Sequence, residues 1–152
     1  MNFLIIDTRE QSPLIFKATE NYEVISEKLD FGDYGFKINN ELICVFERKS
    51  ALDLFGTLTK GHLRFKDEIL RAKQQNVLFF VAIEESYSNI INKKFEGSFR
   101  TKMKGFILAK IIHTFQLRYG VAFMFFNNRE EMRDYIRNTF NSLLNLGNKK
   151  HL

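Results

Sequence analysis

The residues best suited to chemistry lie in two segments, Gly32-Asp33-Tyr34 and Glu47-Arg48-Lys49-Ser50-Ala51-Leu52-Asp53. Residues two apart in an extended strand point to the same face, so Glu47 and Lys49 should project together. Asp33 opens the preceding strand of the same predicted hairpin, so its carboxylate can reach that corner. Neighbouring carboxylates repel unless a cation or proton intervenes, and their hard oxygens suit Mg²⁺ or Mn²⁺. With the Lys49 ammonium beside them, they indicate a site for phosphodiester hydrolysis.

The string Glu-Arg-Lys-x-x-x-Asp is the most specific part of this pattern. With each charged type at about 6% of residues, it should occur by chance in about 0.2% of chains of this length. The alternative interpretation is a charged strand end followed by a helix capped by Ser50 or Asp53. That alternative explains Ser50, but it gives no reason for acids to converge with Lys49.

The composition of the 152 residues is typical of one globular domain, with 45% hydrophobic and 27% charged residues. No apolar run approaches the roughly 20 residues of a membrane helix, and the N-terminus lacks the basic region of a signal peptide. We therefore expect a soluble intracellular protein, of the cytoplasm or nucleoid (or the nucleus in a eukaryote), without a membrane partner. The single cysteine, Cys44, lies in an apolar run and is predicted to be a buried thiol.

Most of the 17 phenylalanines lie in apolar runs such as residues 78–81 and 123–126. We interpret them as core residues and not as a surface that stacks on nucleobases. The net charge of +5 and the pI near 9.3 favour a polyanionic partner. Residues 93–118 hold seven basic residues against one acid, and residues 60–66 form a second basic group. Candidate DNA contacts in these groups are Arg64, Lys102 and Lys104, although a solvated helix face is the alternative.

The chemistry-bearing residues must be positioned by a sheet. We predict strands over residues 3–7, 34–38, 42–47, 77–83 and 121–126, while residues 23–29 fit either a strand or a helical turn. Asn39-Asn40 suits a tight hairpin turn, because such turns require positive φ.

Helical spacing of apolar residues begins after Ser50, stops at Gly61, and resumes over residues 62–75 and 99–117. The last predicted helix has Asn128 and Glu131 as its N-terminal capping pair. One face of it carries the apolar stripe Met132, Tyr135, Ile136, Thr139, Phe140, Leu143 and Leu144. Strands come first and helices then alternate with strands. This order predicts an α/β fold in which helices flank both faces of a mixed sheet.

Three segments closely resemble the nuclease domain of the XPF endonucleases, which belong to the restriction-endonuclease-like PD-(D/E)XK superfamily. These segments are residues 5–10, 29–34 and 46–54. The signature of that family is Gly-Asp, a variable gap, Glu-Arg-Lys and an Asp four residues after the Lys, and it is complete here. A weaker likeness continues through Gly61, Arg64, Phe65, Glu68 and Arg71. The resemblance covers about half of the chain.

The resemblance implies roles at the metal. Asp33, Glu47 and the backbone carbonyl of Arg48 would hold Mg²⁺ or Mn²⁺. Asp7 would contribute a further carboxylate, through a water or a second ion. Lys49 would orient the attacking water and stabilise the charge that develops on the phosphate.

The same resemblance implies roles around the metal. Arg48 would grip a phosphate or organise the site, and Asp53 would orient Arg48 or Lys49 from the following helix. Arg9 is a candidate nucleic-acid contact. For Arg9-Glu10 the alternative is a surface ion pair between the two side chains.

We predict a metal-dependent DNA endonuclease that forms a single domain over residues 1–152 and acts on branched, flapped or otherwise structured DNA. One alternative is a catalytically silent DNA-binding or dimer-partner module. Another is a nuclease of the same fold that serves a phage, mobile element or defence system, with RNA or modified DNA as a target. Family members typically carry a tandem helix-hairpin-helix domain, for which we expect no room here. We also expect a homodimer through the C-terminal helix.

Overall fold

A computed structural model describes residues 1–148, which form six strands and five α-helices around one mixed sheet. The strands are β1 (Phe3–Ile6), β2 (Glu23–Ser26), β3 (Tyr34–Ile38), β4 (Glu41–Lys49), β5 (Leu78–Ile83) and β6 (Ala122–Phe125). The helices are α1 (Ala51–Leu58), α2 (His62–Gln74), α3 (Tyr87–Ile91), α4 (Gly105–Tyr119) and α5 (Arg129–Asn148), with a 3₁₀ turn at Ser98–Arg100. The predicted α/β fold is confirmed.

The strand order across the sheet is β2-β1-β3-β4-β5-β6. Strands β4, β5 and β6 run parallel, whereas β3 is antiparallel to both β1 and β4. The turn between β3 and β4 is at Asn39 and Asn40, whose φ angles of 52° and 66° confirm the predicted positive-φ turn. The β3–β4 pairing ends at Tyr34 and Phe46, so the end of β4 extends beyond its hairpin partner.

The two faces of the sheet are covered by different helices. Helices α1, α2 and α4 pack on one face around β4 and β5 residues such as Val45 and Val81. Helix α5 packs on the other face against Phe36 and Phe46. The prediction of helices on both faces is therefore confirmed. Consecutive β4 residues alternate between the two cores, as a strand requires.

The segment before α4 differs from the prediction of one helix over residues 99–117. Helix α4 begins only at Gly105, and the short helix α3 was not predicted. A Cβ at Gly105 would overlap the Ile91 carbonyl, so α4 begins where it packs directly on the end of α3. Phe99 fits the helical spacing but lies in the 3₁₀ turn before α4 and is 83% exposed.

The apolar stripe of α5 mainly covers the sheet. The Glu131 N–H donates to Asn128 Oδ1 at 2.8 Å, which confirms the predicted cap. Ile136 and Phe140 are completely buried in the core of the same chain and are therefore unavailable to a partner. Tyr135 remains 46% exposed, and the homodimer stays a prediction. No helix in the described residues, α5 included, is long and apolar enough to cross a membrane.

Candidate active site at the end of strand β4

The last residues of β4 point alternately to the two faces of the sheet. Val45 lies in the core under α1, α2 and α4, and Phe46 lies in the core under α5. By the same alternation, Glu47 and Lys49 face the α1–α2 side, and Arg48 faces the α5 side. Lys49 Nζ lies 3.2 Å from Glu47 Oε1. The structure thus brings Glu47 and Lys49 together, as their spacing predicts.

Asp33 reaches this corner because β3 ends before β4 does. The Arg48 N–H has no ladder partner on β3, and Asp33 Oδ2 accepts its hydrogen bond at 2.7 Å. Gly32 explains why a glycine precedes Asp33. Its φ is +79°, and a Cβ there would lie 2.7 Å from the Val45 Cβ. The Gly-Asp pair therefore lets the chain approach β4 closely enough to set Asp33 beside the strand end.

Burial raises the pKa of both site carboxyls, Asp33 and Glu47, above their usual range. The negative charge of Asp33 raises the Glu47 pKa further. Burial disfavours the Lys49 ammonium, but the charge and hydrogen bond of Glu47, together with the charges of Asp33 and Glu68, raise the Lys49 pKa overall. Two carboxyls with one ammonium leave a local excess of negative charge, which a divalent cation would stabilise.

The donor set at this corner fits Mg²⁺ or Mn²⁺. No group of three or more His, Cys, Asp or Glu side chains within residues 1–148 is arranged to hold a metal ion. Mg²⁺ is commonly bound through only one or two carboxylates, with water and substrate phosphates completing its shell. Asp33 and Glu47 supply two such carboxylates.

Glu68 on α2 is a further acid at the site that the candidate set omitted. Its Oε1 accepts the Gly32 N–H at 3.1 Å, and its negative charge contributes to the raised pKa of Glu47. The sequence feature that could have identified Glu68 is the weaker family likeness along residues 61–71, which includes this residue.

Asp7, the predicted additional metal ligand, is buried and already hydrogen-bonded. Its Oδ2 accepts from Arg9 Nε and its Oδ1 from the Leu29 N–H, both at 2.8 Å. Burial opposes its ionisation, but these hydrogen bonds together lower its pKa. Its N–H donates to the Asp33 carbonyl, so Asp7 secures the segment that carries Asp33. The structure does not bring Asp7 into a three-acid metal group.

Arg9 and Glu10 do not form the surface ion pair considered as an alternative. Arg9 pairs with Asp7, and Glu10 pairs with Arg48. The Arg9 side chain is 62% exposed, and the hydrogen bond and charge of Asp7 raise its pKa, with smaller contributions from the charges of Asp33 and Glu47. Arg9 therefore lies close enough to the site corner to respond to its carboxylates.

The Arg48 guanidinium is held between two acids on the α5 side of the sheet. Its Nε lies 2.9 Å from Glu10 Oε2, and one terminal nitrogen lies 2.8 Å from Glu84 Oε1. Glu10 also accepts from the Tyr34 hydroxyl, and Glu84 also pairs with Arg129. These ion pairs fix the position of the Arg48 guanidinium and so help to organise the site. A phosphate could bind this guanidinium only by displacing Glu10 or Glu84. Glu84 was not predicted, because its side-chain direction depends on the parallel pairing of β4 with β5.

Asp53 and Arg64 lie with Lys49 around a cleft of about 410 Å³ between α1 and α2. The Asp53 N–H donates to Ser50 Oγ at 3.1 Å, which confirms Ser50 as the helix cap. The Asp53 carboxylate forms no ion pair with Arg48 or Lys49 within the described residues. Glu10 and Glu84 orient Arg48 instead, because β4 directs that side chain to the opposite face.

The two candidate lysines, Lys102 and Lys104, lie apart from this cleft. Both are exposed and belong to the segment between the 3₁₀ turn and α4. Neither lines the cleft beside Lys49. The structure therefore separates one group of candidate residues at the β4 end from a second basic region before α4.

The sequence and the fold both match known proteins. The ERCC4 domain profile matches residues 6–139. The solved structure of XPF from Aeropyrum pernix matches with a TM-score of 0.68 at 20% identity, over 99% of this chain and 65% of that one. XPF from Aeropyrum pernix in complex with DNA matches with a TM-score of 0.62 at 21% identity, over 100% and 68%. None of the curated proteins matches.

At these identities the structural matches show the fold, and the profile match covers most of the chain. This chain spans 65% of the length of the first matched structure. The predicted resemblance to the XPF-type nuclease domain is confirmed. The chain belongs to the ERCC4 domain family, a family of nucleases.

Proposed function

We propose that this chain is a divalent-metal-dependent endodeoxyribonuclease whose active site contains Asp33, Glu47 and Lys49. The observation that carries the proposal is the meeting of three groups at the end of β4. Asp33 accepts from the Arg48 N–H at 2.7 Å, and Lys49 lies 3.2 Å from the buried Glu47. The membership of this chain in a family of nucleases supports the same proposal. Two neighbouring carboxylates are stabilised when they bind a proton or a cation. In a nuclease site, a divalent cation would also activate water and stabilise charge on the phosphate.

Asp33 and Glu47 would hold Mg²⁺ or Mn²⁺, with the Arg48 backbone carbonyl as a further proposed ligand. When bound, such an ion activates water and stabilises negative charge on a phosphate. Lys49 keeps its proton beside Glu47 and lines the cleft between α1 and α2. Its ammonium would stabilise the charge that grows on the phosphate as the bond to the leaving oxygen breaks.

The proposed substrate is DNA with a branch, flap or other departure from continuous duplex. The net charge of +5 supports a polyanionic substrate. Exposed cations are available for phosphate contacts at Arg9, Arg64, Lys102 and Lys104. A solved structure with the same fold is described as a complex with DNA. Arg48 is assigned to organising the site, because its guanidinium is held by Glu10 and Glu84.

A substrate panel tests this proposal. It contains single-stranded DNA, blunt duplex, 3′ and 5′ flaps, a splayed duplex, a four-way junction and RNA, each with Mg²⁺, Ca²⁺ or excess EDTA. We expect cleavage of branched DNA with Mg²⁺ and none with EDTA. Ca²⁺ should allow binding with little cleavage, because its larger, looser coordination misplaces the attacking water. Efficient cleavage in excess EDTA would show that the reaction does not need a divalent metal ion and would contradict the proposal.

A further inference from the structure

Two phenylalanines near the start of α4 are exposed, unlike the phenylalanines in the two cores. Phe99 is 83% exposed and Phe106 is 52% exposed. A single exposed apolar residue is ordinary in a folded protein. Two aromatic rings in one short segment, however, expose flat surfaces that are suited to stacking. They are exceptions to the prediction that most of the phenylalanines are core residues.

Cations accompany both rings. The Arg100 guanidinium lies 5.6 Å from the Phe99 ring centre. The ammonium groups of Lys104 and Lys110 lie 5.9 Å and 6.0 Å from the Phe106 ring centre. Aromatic rings with basic side chains beside them are the usual means of binding single-stranded nucleic acid, because the rings stack on bases and the cations attract phosphates. We name residues 99–110 the aromatic–cationic segment.

A groove lies between the start of this segment, at Phe99 and Arg100, and the start of α1 at Ser50 and Ala51. It has a volume of about 490 Å³, and its lining includes Ser50, Glu84, Phe99 and Arg100. Ser50 directly follows Lys49 in the chain. Glu84 is paired with Arg48 and Arg129, but Glu85 and Glu96 also line the groove. These acids disfavour a phosphate inside the groove, so an uncharged base suits the groove better. The phosphates would instead meet the cations of the aromatic–cationic segment.

The backbone of the segment is held on both sides. Lys93 donates a hydrogen bond to the Thr101 carbonyl. Gly97 has a φ of +81°, which sets the turn before Phe99, and Gly105 packs against the end of α3. A surface ordered before binding loses less conformational entropy when a ligand stacks on it.

We infer that Phe99 and Phe106, with Arg100, Lys104 and Lys110, bind unpaired nucleotides of a DNA arm beside the duplex that is cut. The inference rests on the proposed nuclease function and narrows its substrate class. The occupant is single-stranded because bases in a duplex already stack on one another and do not expose their faces. Charge complementarity favours DNA over a second copy of this chain, which would also carry a net charge of +5.

The first test uses Phe99→Trp as a local fluorophore, because the chain contains no tryptophan. Stacking of a base on the indole should quench its fluorescence when oligothymidine or a splayed duplex is added. A splayed duplex whose arm has the same length but abasic sites should quench much less. Leu117→Trp, at a position near the end of α4 that is 88% exposed, is the control for an exposed tryptophan outside the segment and should not respond. Equal quenching by the abasic arm would contradict stacking.

The second test measures binding in Ca²⁺ at constant salt by fluorescence anisotropy. Phe99→Ala should weaken binding of the splayed duplex by about 5-fold to 150-fold, the range expected for one stacked base. Its affinity for a blunt duplex of equal length should change by less than about two-fold. Phe99→Leu retains apolar surface without an aromatic ring and should behave like Phe99→Ala, whereas Leu117→Ala should bind as the wild type does.

Several results would overturn the inference while leaving the proposed function intact. One is wild-type Mg²⁺-dependent cleavage combined with equal binding of both DNAs by Phe99→Ala and the wild type. Another is a dimer that becomes a monomer in Phe99→Ala, which would make the segment a contact between copies. A wild-type protein that neither binds nor cuts any DNA would instead refute the proposed function itself.

Discussion

Removing the Arg48 guanidinium should reduce the stability of the fold more than the affinity for DNA. The Arg48 side chain is 17% exposed and lies between Glu10 and Glu84, whose side chains are 10% and 19% exposed. Arg48→Ala therefore leaves two largely buried carboxylates near each other without the cation that separates them. Each would repel the other or would need to bind a proton.

The expected cost follows from what remains after the substitution. Removing one partner of a buried ion pair costs about 3–5 kcal/mol. Glu10 keeps the Tyr34 hydroxyl and Glu84 keeps Arg129. Residual solvent exposure also screens the charges, so we expect a loss of about 2–3 kcal/mol in the free energy of unfolding. For a domain of this size, that lowers the melting temperature by about 4–12 °C.

Urea and thermal unfolding followed by circular dichroism measure this loss. Arg48→Lys should recover only part of it, because one ammonium cannot replace a planar fork that bonds two carboxylates. Arg64→Ala, at an exposed position on α2, is the control and should keep wild-type stability. A double-mutant cycle of Arg48→Ala with Glu84→Gln should show a coupling of about 1 kcal/mol or more. Wild-type stability of Arg48→Ala combined with a large loss of DNA affinity would refute this reasoning and assign Arg48 to a phosphate.

Three further predictions concern the basic segment, the thiol and assembly. Replacing Lys102 and Lys104 by Ala should make the dependence of log affinity on log salt shallower by about one unit per lost phosphate contact, and an unchanged slope would identify them as a solvated face. Burial raises the pKa of the Cys44 thiol to about 12, so a thiol-specific reagent near pH 8 should react only as the protein unfolds; rapid labelling of the native protein would contradict this. Light scattering should give a dimer mass, and a constant monomer mass up to about tens of micromolar would contradict the homodimer.

The fold could be predicted wherever the determining interactions are local. The Asn39-Asn40 turn and the Asn128 cap depend on residues close together in the chain, and both are confirmed. Helix α3 has five residues, too few to show a helical period. Phe99 continues the apolar spacing, so the sequence predicts too early a start for α4, whereas in the structure this residue is 83% exposed.

The candidate site, like the fold, could be predicted only in part. The convergence of Glu47 and Lys49 follows from strand alternation, and the position of Asp33 follows from the hairpin that joins β3 to β4. The partners of Arg48 did not follow, because Glu10 and Glu84 lie 38 and 36 residues away in the chain. Their positions depend on how the strands pair across the sheet, which periodicity within a single segment does not report.

The most direct test of the account compares Glu47→Ala with Lys49→Ala for Mg²⁺ binding, DNA affinity and single-turnover cleavage. Glu47→Ala should lose Mg²⁺ and cleavage but keep or increase DNA affinity, because one negative charge facing the phosphate is gone. Lys49→Ala should keep Mg²⁺ and most of the affinity, since its interaction strengthens in the transition state. Its cleavage rate should still fall at least ~100-fold, and Lys49→Arg should restore it only in part. Cleavage by both alanine variants at near wild-type rates, with DNA binding retained, would place the active site elsewhere.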